Sequence, residues 1–161
     1  MTAAPSTPDA AHRPLAGRVA VVTGASRGAG RGIAQELGAA GATVYVTGRS
    51  TRARPADSYG QLLALSELAA LPGTIDDTAD EVTQFGGHGI AVACDHTKED
   101  EVAALFARVE REQGRLDLLV NNAWGGHESF TGVFEAPFWE HPLANWDSMF
   151  DRGVRNHLVA S

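Results

Sequence analysis

A glycine turn between two apolar runs constrains the fold of this chain more than any other feature. The segment GRVAVVTGASRGAGRGIAQELGAAGATVYVTGRS covers residues 17–50. Its first run, Arg18–Thr23, is rich in valine, as is typical of a strand buried on both faces. Gly28–Ala40 carries apolar residues at helical spacing and ends at Gly41, and Ala42–Thr47 predicts a second strand. Strand, helix and strand in this order predict a βαβ unit with parallel strands.

Strands and helices continue to alternate along the rest of the chain. The further predicted strands are Gly89–Cys94 and Leu116–Val120. The further predicted helices lie within Tyr59–Leu71, over Ile75–Phe85, from about Thr97 to Glu112, and along the apolar stripe from Trp146 to Ser161. Thr74 and Thr97 each stand three residues before an acid, which predicts that both cap a helix. The sequence therefore predicts an α/β fold. We expect a Rossmann-type doubly wound parallel sheet of order 3-2-1-4, cut short after the helix that follows strand 4.

Composition narrows the class of protein further. The net charge of −7 argues against a nucleic-acid binder, which needs a basic face. The single cysteine cannot form an internal disulfide and fits a reducing compartment. Residues 1–14 are small and polar and lack the apolar core of a secretory signal, so we expect a disordered lead-in before one domain over 15–161. Because no apolar run approaches the roughly 20 residues of a membrane span, we expect a cytoplasmic protein.

The glycine pattern itself indicates a binding site. Gly24 permits a sharp turn, and Gly28 and Gly30 remove side chains where a ligand must approach the backbone. A helix that starts there directs free N–H groups and its positive dipole end at an anion, for which a pyrophosphate is the natural candidate. The alternative is a turn that holds nothing, but the complete βαβ unit favours binding. The stretch NNAWGG at 121–126 falls at the same carboxyl edge, where the strand order reverses.

Thr23–Gly30 and Asn121–Ala123 together resemble the short-chain dehydrogenase/reductase family. That family has TGxxxGxG after strand 1, an aspartate after strand 3 and NNAG after strand 4. The resemblance covers almost all of residues 15–161 and implies a domain that binds a nicotinamide dinucleotide. By resemblance, Asp95 contacts the adenine, Asn121 braces the neighbouring strand, and Asn122 and Ala123 line the cofactor ribose.

The end of strand 2 indicates which nicotinamide cofactor is bound. A carboxylate there would pair with the ribose 2′-hydroxyl of NAD, yet residues 41–56 contain no acid. Arg49 takes that position and Arg27 lies in the glycine turn, so we predict NADP(H) over NAD(H), since a guanidinium fork suits a 2′-phosphate. Arg52 and Arg54 either add to this patch or are solvated loop charges. The candidate cofactor-binding residues are Gly24, Ser26, Arg27, Gly28, Ala29, Gly30, Arg49, Ser50, Asp95, Asn121, Asn122 and Ala123.

The catalytic residues of the family are missing from this chain. Hydride transfer in the family depends on a Tyr-x-x-x-Lys pair and an upstream serine, with the tyrosine as general acid or base. The two tyrosines here are Tyr45, within strand 2, and Tyr59, which is followed four residues later by Leu63. We therefore expect no catalytic residue in this chain. It would be the N-terminal, cofactor-binding part of an oxidoreductase and inactive alone.

Two further departures suggest a divergent subgroup of the family. Trp124 replaces the glycine of NNAG, and Gly153 stands where the family commonly has an asparagine. The loss of that asparagine puts the proton-relay scheme of the family in question, but not the fold. Trp124 either shapes the substrate pocket near the nicotinamide or packs against the following loop.

Other readings of the sequence remain open. Neighbouring strand residues such as Cys94, Asp95 and His96 point to opposite faces, and no pair of histidines has zinc-ligand spacing, so we expect no metal. An isomerase or dehydratase could use the same fold, and a non-catalytic nucleotide sensor is a third possibility. For the full-length protein we expect a carbonyl or alcohol substrate and a homo-oligomer, whereas assembly of this chain alone is not expected.

Overall fold

The computed structural model describes residues 13–55, 72–126, 130–133 and 135–161. Its strands are β1 (Val19–Val22), β2 (Thr43–Gly48), β3 (His88–Ala93) and β4 (Leu118–Val120). Its helices are α1 (Gly28–Ala39), α2 (Ile75–Gln84), α3 (Glu99–Gln113), α4 (Leu143–Met149) and α5 (Asn156–Ala160), with a 3-10 turn at Phe138–Glu140 and a π-helical stretch at Phe150–Arg155. The helix predicted within Tyr59–Leu71 lies outside the described residues. No helix in the described ranges has both the length and the apolar character needed to cross a membrane.

The four strands form one parallel sheet in the order β3-β2-β1-β4, which confirms the predicted topology. Residues of β1 alternate between the two faces, as the period of two requires. Ala20 and Val22 pack under α1 and α2, whereas Val19 and Val21 pack under α3 and α5. Both faces of β1 and β2 are therefore buried, which explains their continuous apolar sequences.

The two predicted helix caps behave differently. The Thr74 hydroxyl accepts a hydrogen bond from the Asp77 amide at 3.0 Å, so the cap of α2 is confirmed. The cap position of α3 is Lys98, and the prediction for Thr97 is wrong. The amide and hydroxyl of Thr97 both donate to Asp95 Oδ1, at 3.0 and 2.8 Å. Thr97 belongs to the turn after β3 because the Asp95 carboxylate competes for its polar groups.

The start of β4 is also later than the apolar pattern indicates. Leu116 and Asp117 were expected in the strand, but the Asp117 carboxylate accepts a hydrogen bond from the Val19 amide at 2.9 Å and pairs with Arg18 and Arg115. The Asp117 amide also donates to the Val19 carbonyl at 2.9 Å, so Asp117 bonds Val19 through both its backbone and its side chain at the start of the strand. The arginines and the Val19 amide hold the pKa of Asp117 far below its usual range.

The last helical segment differs most from its predicted pattern. The apolar stripe indicates one continuous helix, yet a π-helical stretch separates α4 from α5 and shifts the phase of the side chains. Trp146 and Leu158 of the stripe are 61% and 72% exposed, whereas Asn145 and Asn156 are buried. The buried side chains of this segment thus include two amides as well as Ala160 of α5.

Candidate functional site

The glycine turn lies against the loop that follows β4. Gly24 has a φ of +66°, and a Cβ there would stand 2.7 Å from Ala123 Cα. A Cβ on Gly30 would overlap the side-chain nitrogen of Asn122 and lie 2.5 Å from the Gly24 carbonyl oxygen. Gly24 and Gly30 are therefore required by packing within the protein, independently of any ligand. Gly28 is different, because its φ is +55° and a Cβ would meet nothing within 4 Å.

One hydroxyl and one amide hold these two loops together. Thr23 Oγ1 accepts hydrogen bonds from the backbone amides of Asn122 and Ala123, both at 2.9 Å, and donates to the Val120 carbonyl at 3.2 Å. Asn122 Nδ2 donates to the carbonyls of Thr23 and Gly24, at 2.9 and 3.0 Å. The glycine turn is thus fixed to the end of β4 before any ligand binds.

Asn121 and Asn122 make different contacts within the chain. Asn122 bonds the end of β1, whereas Asn121 Nδ2 donates to Ser161 Oγ at 2.9 Å and so holds the end of α5. The expected role of Asn121 in bracing a neighbouring strand stays a prediction. The Ala123 carbonyl accepts from Asn156 Nδ2 at 3.0 Å and bonds His157 Nε2 at 2.8 Å. The contacts of Asn122 and Ala123 with a ribose remain predictions. Asn156 and His157 were missed, because only the fold brings them to this loop.

The start of α1 presents open backbone to the crevice. Arg27 is the cap residue and has an extended backbone, and no side chain among the described residues caps this turn. The first N–H groups of a helix have no intrahelical partner, so those after Arg27 are placed to meet an anion. Gly28 and Ala29 are exposed here, and Ser26 lies under Gly73, whose Cβ would overlap the Ser26 carbonyl oxygen.

The predicted arginine pair gathers at the carboxyl ends of β2 and β3. The Arg27 guanidinium donates to Ser50 Oγ at 2.8 Å and to the Gly73 carbonyl at 3.2 Å. Burial raises the pKa of Asp95, but hydrogen bonds from Thr97 and the positive charges of Arg49 and Lys98 outweigh it, so the pKa lies below its usual value. Arg49 is therefore close enough to act on the carboxylate expected to meet the adenine.

Arg52 has a different task. Its backbone amide donates to Asp76 Oδ2 at 2.9 Å, and its guanidinium pairs with Asp77 on the first turn of α2 and with Asp80 on the next turn. The side chain is 56% exposed, and its contribution to the phosphate patch stays a prediction. Arg52 ties the loop after β2 to α2.

A buried polar chain crosses the same edge of the sheet. Thr47 Oγ1 donates to the Val22 carbonyl at 3.3 Å and lies 2.7 Å from His96 Nε2, and His96 Nδ1 lies 3.9 Å from Cys94 Sγ. Which of Thr47 and His96 donates in the 2.7 Å contact depends on the imidazole tautomer. Burial lowers the pKa of His96 to about 4 and raises that of Cys94 to about 12. No group of three or more His, Cys, Asp and Glu side chains in the described ranges could hold a metal.

Trp124 and Gly153, the two departures from the family pattern, lie against each other. A Cβ on Gly153 would stand 2.9 Å from Cδ1 and 2.9 Å from Nε1 of the Trp124 indole. The loop after β4 thus has a large side chain, Trp124, at the place where the helical segment has a glycine, Gly153. Packing of Trp124 against neighbouring residues, one of its two expected roles, is present, yet 54% of the residue remains exposed.

Comparisons with known proteins agree with this geometry. The family model described as short chain dehydrogenase matches residues 64–160. The chain belongs to this family. A mouse relative (Mus musculus), dehydrogenase/reductase SDR family member 1, is 43% identical over 149 residues, which make up 92% of this chain and 41% of the relative. This chain therefore spans less than half the length of that relative.

Solved structures place the fold in the same family. A short chain dehydrogenase from Mycobacterium thermoresistibile is 29% identical with a TM-score of 0.69, over 91% of this chain and 45% of that one. A metagenomic short-chain oxidoreductase in complex with NADP is 31% identical with a TM-score of 0.67, over 91% of this chain and 54% of that one. The predicted family and Rossmann-type fold are thus confirmed. As a short chain dehydrogenase, the chain belongs to an oxidoreductase family that binds a nicotinamide cofactor and acts on small molecules.

Proposed function

We propose that this chain is the cofactor-binding part of an NADP(H)-dependent oxidoreductase that transfers hydride between the nicotinamide and a carbonyl or alcohol. The observation that carries the cofactor choice is the placement of Arg27 beside Ser50, with Arg49 next in sequence to Ser50 and no acid in residues 41–56. A carboxylate at this place would repel a 2′-phosphate, whereas guanidinium groups attract it. The NADP complex of the metagenomic relative supports the same choice.

The residues present fit such a cofactor. The open turn at Gly28 and the uncapped start of α1 suit the pyrophosphate, Arg27 and Arg49 suit the 2′-phosphate, and Asp95 suits the adenine. When bound, NADPH supplies the hydride. The residues of this chain bind and orient it, and Thr23 and Asn122 keep the turn in place. The catalytic serine, tyrosine and lysine would come from the remaining part of a full-length protein, so we expect no turnover by this chain alone.

Calorimetric titration with NADPH and NADH tests the proposal. Arg49→Asp replaces a phosphate partner with a repelling charge, and a lost hydrogen bond to a charged group costs about 1.5–3 kcal/mol. We therefore expect roughly 10- to 100-fold weaker NADPH binding with NADH binding changed little. Arg111→Asp is the matched control, since it makes the same charge change on an exposed residue of α3, outside the predicted arginine patch. Equal losses for both cofactors would refute the role of Arg49 at the 2′-phosphate.

A failure to bind either cofactor would count against the wider proposal. The wild-type chain should bind NADPH in this titration, with adenosine 2′,5′-bisphosphate competing for the site. Binding of both, without turnover of a carbonyl substrate, is the expected result. A non-catalytic nucleotide sensor would behave identically in this chain, and the two differ only in whether the full-length protein carries the Tyr-x-x-x-Lys pair.

A further inference from the structure

The Trp124 indole occupies space that two glycines leave open. A Cβ on Gly153 would stand 2.9 Å from Cδ1 and from Nε1, and a Cβ on Gly126 would stand 2.9 Å from Cζ2 and 3.1 Å from Cε2. Neither glycine has a positive φ, so neither is needed for its backbone conformation. The absence of a side chain at both positions lets the indole lie directly against the backbone.

This placement has a cost for the helical segment. Glycine within a helix is destabilising relative to alanine, because it loses more backbone freedom on folding. Gly153 lies within the π-helical stretch Phe150–Arg155. The segment therefore gives up stability at the one turn on which Trp124 rests. A ring that only filled a gap in the core would be buried, whereas Trp124 is 54% exposed.

The order of the strands shows which end of the candidate cofactor site Trp124 occupies. Ser50 and Asp95 follow the ends of β2 and β3, and the Arg27 guanidinium reaches Ser50, so these groups lie on the β2–β3 side of the sheet. Trp124 follows β4, the strand at the opposite side, and stands two residues after Asn122. If the 2′-phosphate and adenine lie towards β2 and β3, the dinucleotide extends towards β4. Its reactive ring and the substrate then lie on the side of Trp124.

We propose that Trp124 is a stacking surface for the substrate and that the substrate carries a planar aromatic ring beside its carbonyl or alcohol. This assignment rests on the proposed function. A half-exposed indole favours offset stacking with another aromatic ring, which adds to the gain from burying apolar surface. A saturated ring offers the area but not the stacking geometry, so binding should discriminate between the two.

The test follows the indole N–H signals of the ¹⁵N-labelled chain by NMR, with NADPH present. The probe is 2-naphthol, and decahydro-2-naphthol is the saturated control. Trp139 and Trp146 are controls within the chain, because they are 71% and 61% exposed and would report non-specific adhesion of an aromatic compound. We expect the Trp124 signal to move and saturate with 2-naphthol, at a concentration at least fivefold lower than with the saturated compound. Equal movement of all three signals, or equal response to both compounds, would overturn the proposal.

A variant separates this inference from the cofactor proposal. Gly153→Ala places a methyl group against the indole, and we expect at least fivefold weaker 2-naphthol binding with NADPH affinity within twofold of wild type. Gly32→Ala is the matched control, since its Cβ would meet nothing within 4 Å in α1. Loss of NADPH binding in the wild-type chain would sink the proposed function instead. Movement of the Trp124 signal with NADPH alone and not with 2-naphthol would make Trp124 a cofactor contact and refute the stacking role.

Discussion

Alanine at Gly30 and at Gly32 should change the stability of this chain in opposite directions. Both glycines lie in α1 and neither has a positive φ. A Cβ on Gly32 would meet nothing within 4 Å. A Cβ on Gly30 would overlap Asn122 Nδ2 and stand 2.5 Å from the Gly24 carbonyl oxygen and 3.0 Å from Ala25 Cα. The same chemical change, two residues apart, therefore meets open space in one case and fixed backbone in the other.

The expected magnitudes follow from these contacts. Gly32→Ala should gain about 0.5–1 kcal/mol, the difference between glycine and alanine in a helix. Gly30→Ala gains at most the same amount but adds overpacking that costs about 1–3 kcal/mol. It also displaces the Asn122 amide from its two carbonyl partners, at roughly 0.5–1.5 kcal/mol for each bond. We expect Gly30→Ala to be about 2–4 kcal/mol less stable than the wild type.

Urea unfolding followed by circular dichroism measures both values by linear extrapolation. The midpoint of Gly32→Ala should rise and that of Gly30→Ala should fall, with similar slopes. The NADPH titration gives a second readout, because a displaced Asn122 also releases the glycine turn. If Gly30→Ala were as stable as Gly32→Ala, the close contact between the turn and Asn122 would not exist in solution and the account of the site would be wrong.

Three further predictions concern the buried polar groups at the same edge of the sheet. Thr23→Val should lose about 1–3 kcal/mol, because two backbone amides lose their acceptor, while Thr23→Ser should retain most of the stability in the same urea assay. His96 stays neutral in the fold down to a pH of about 4, whereas the unfolded chain takes up a proton below about 6.5, so stability should fall as pH drops through that window. His96→Gln should flatten this loss in unfolding measured between pH 7 and 5, and an unchanged slope would contradict it. Cys94 is buried and has a pKa of about 12, so its thiol should not react with a thiol reagent in the native chain and should react fully in urea.

The fold could be predicted because its signals are local. The valine-rich runs, the glycine stops and the cap at Thr74 each act within a few residues, and the order of strands and helices then leaves few topologies. Thr97 was misassigned as a cap because an equally local competitor, the Asp95 carboxylate, takes its hydrogen bonds. Two local signals of similar strength cannot be ranked without the geometry of the turn.

The site could be predicted only in outline. The motifs predicted that the glycine turn and the loop after β4 share one edge of the sheet, but the hydrogen bonds that join them depend on a contact across 99 residues, from Asn122 to Thr23. The chain from Thr47 to His96 joins two strands in the same way, across 49 residues. The exposed stripe at Trp146 shows a further limit, since periodicity indicates a helix but not which face will pack. Asn145 and Asn156 are buried although both are polar, which a pattern of apolar residues does not indicate.

The Thr23–Asn122 contact has a consequence for building hybrid enzymes from this chain. Recombination anywhere between α1 and β4 would take the glycine turn from one parent and the NNA loop from the other. Such a hybrid keeps the contact between the two loops only if one parent supplies threonine at position 23 and glycine at position 30, and the other supplies asparagine at position 122. The glycine turn and the NNA loop must therefore be exchanged together, although most of the domain separates them in the gene.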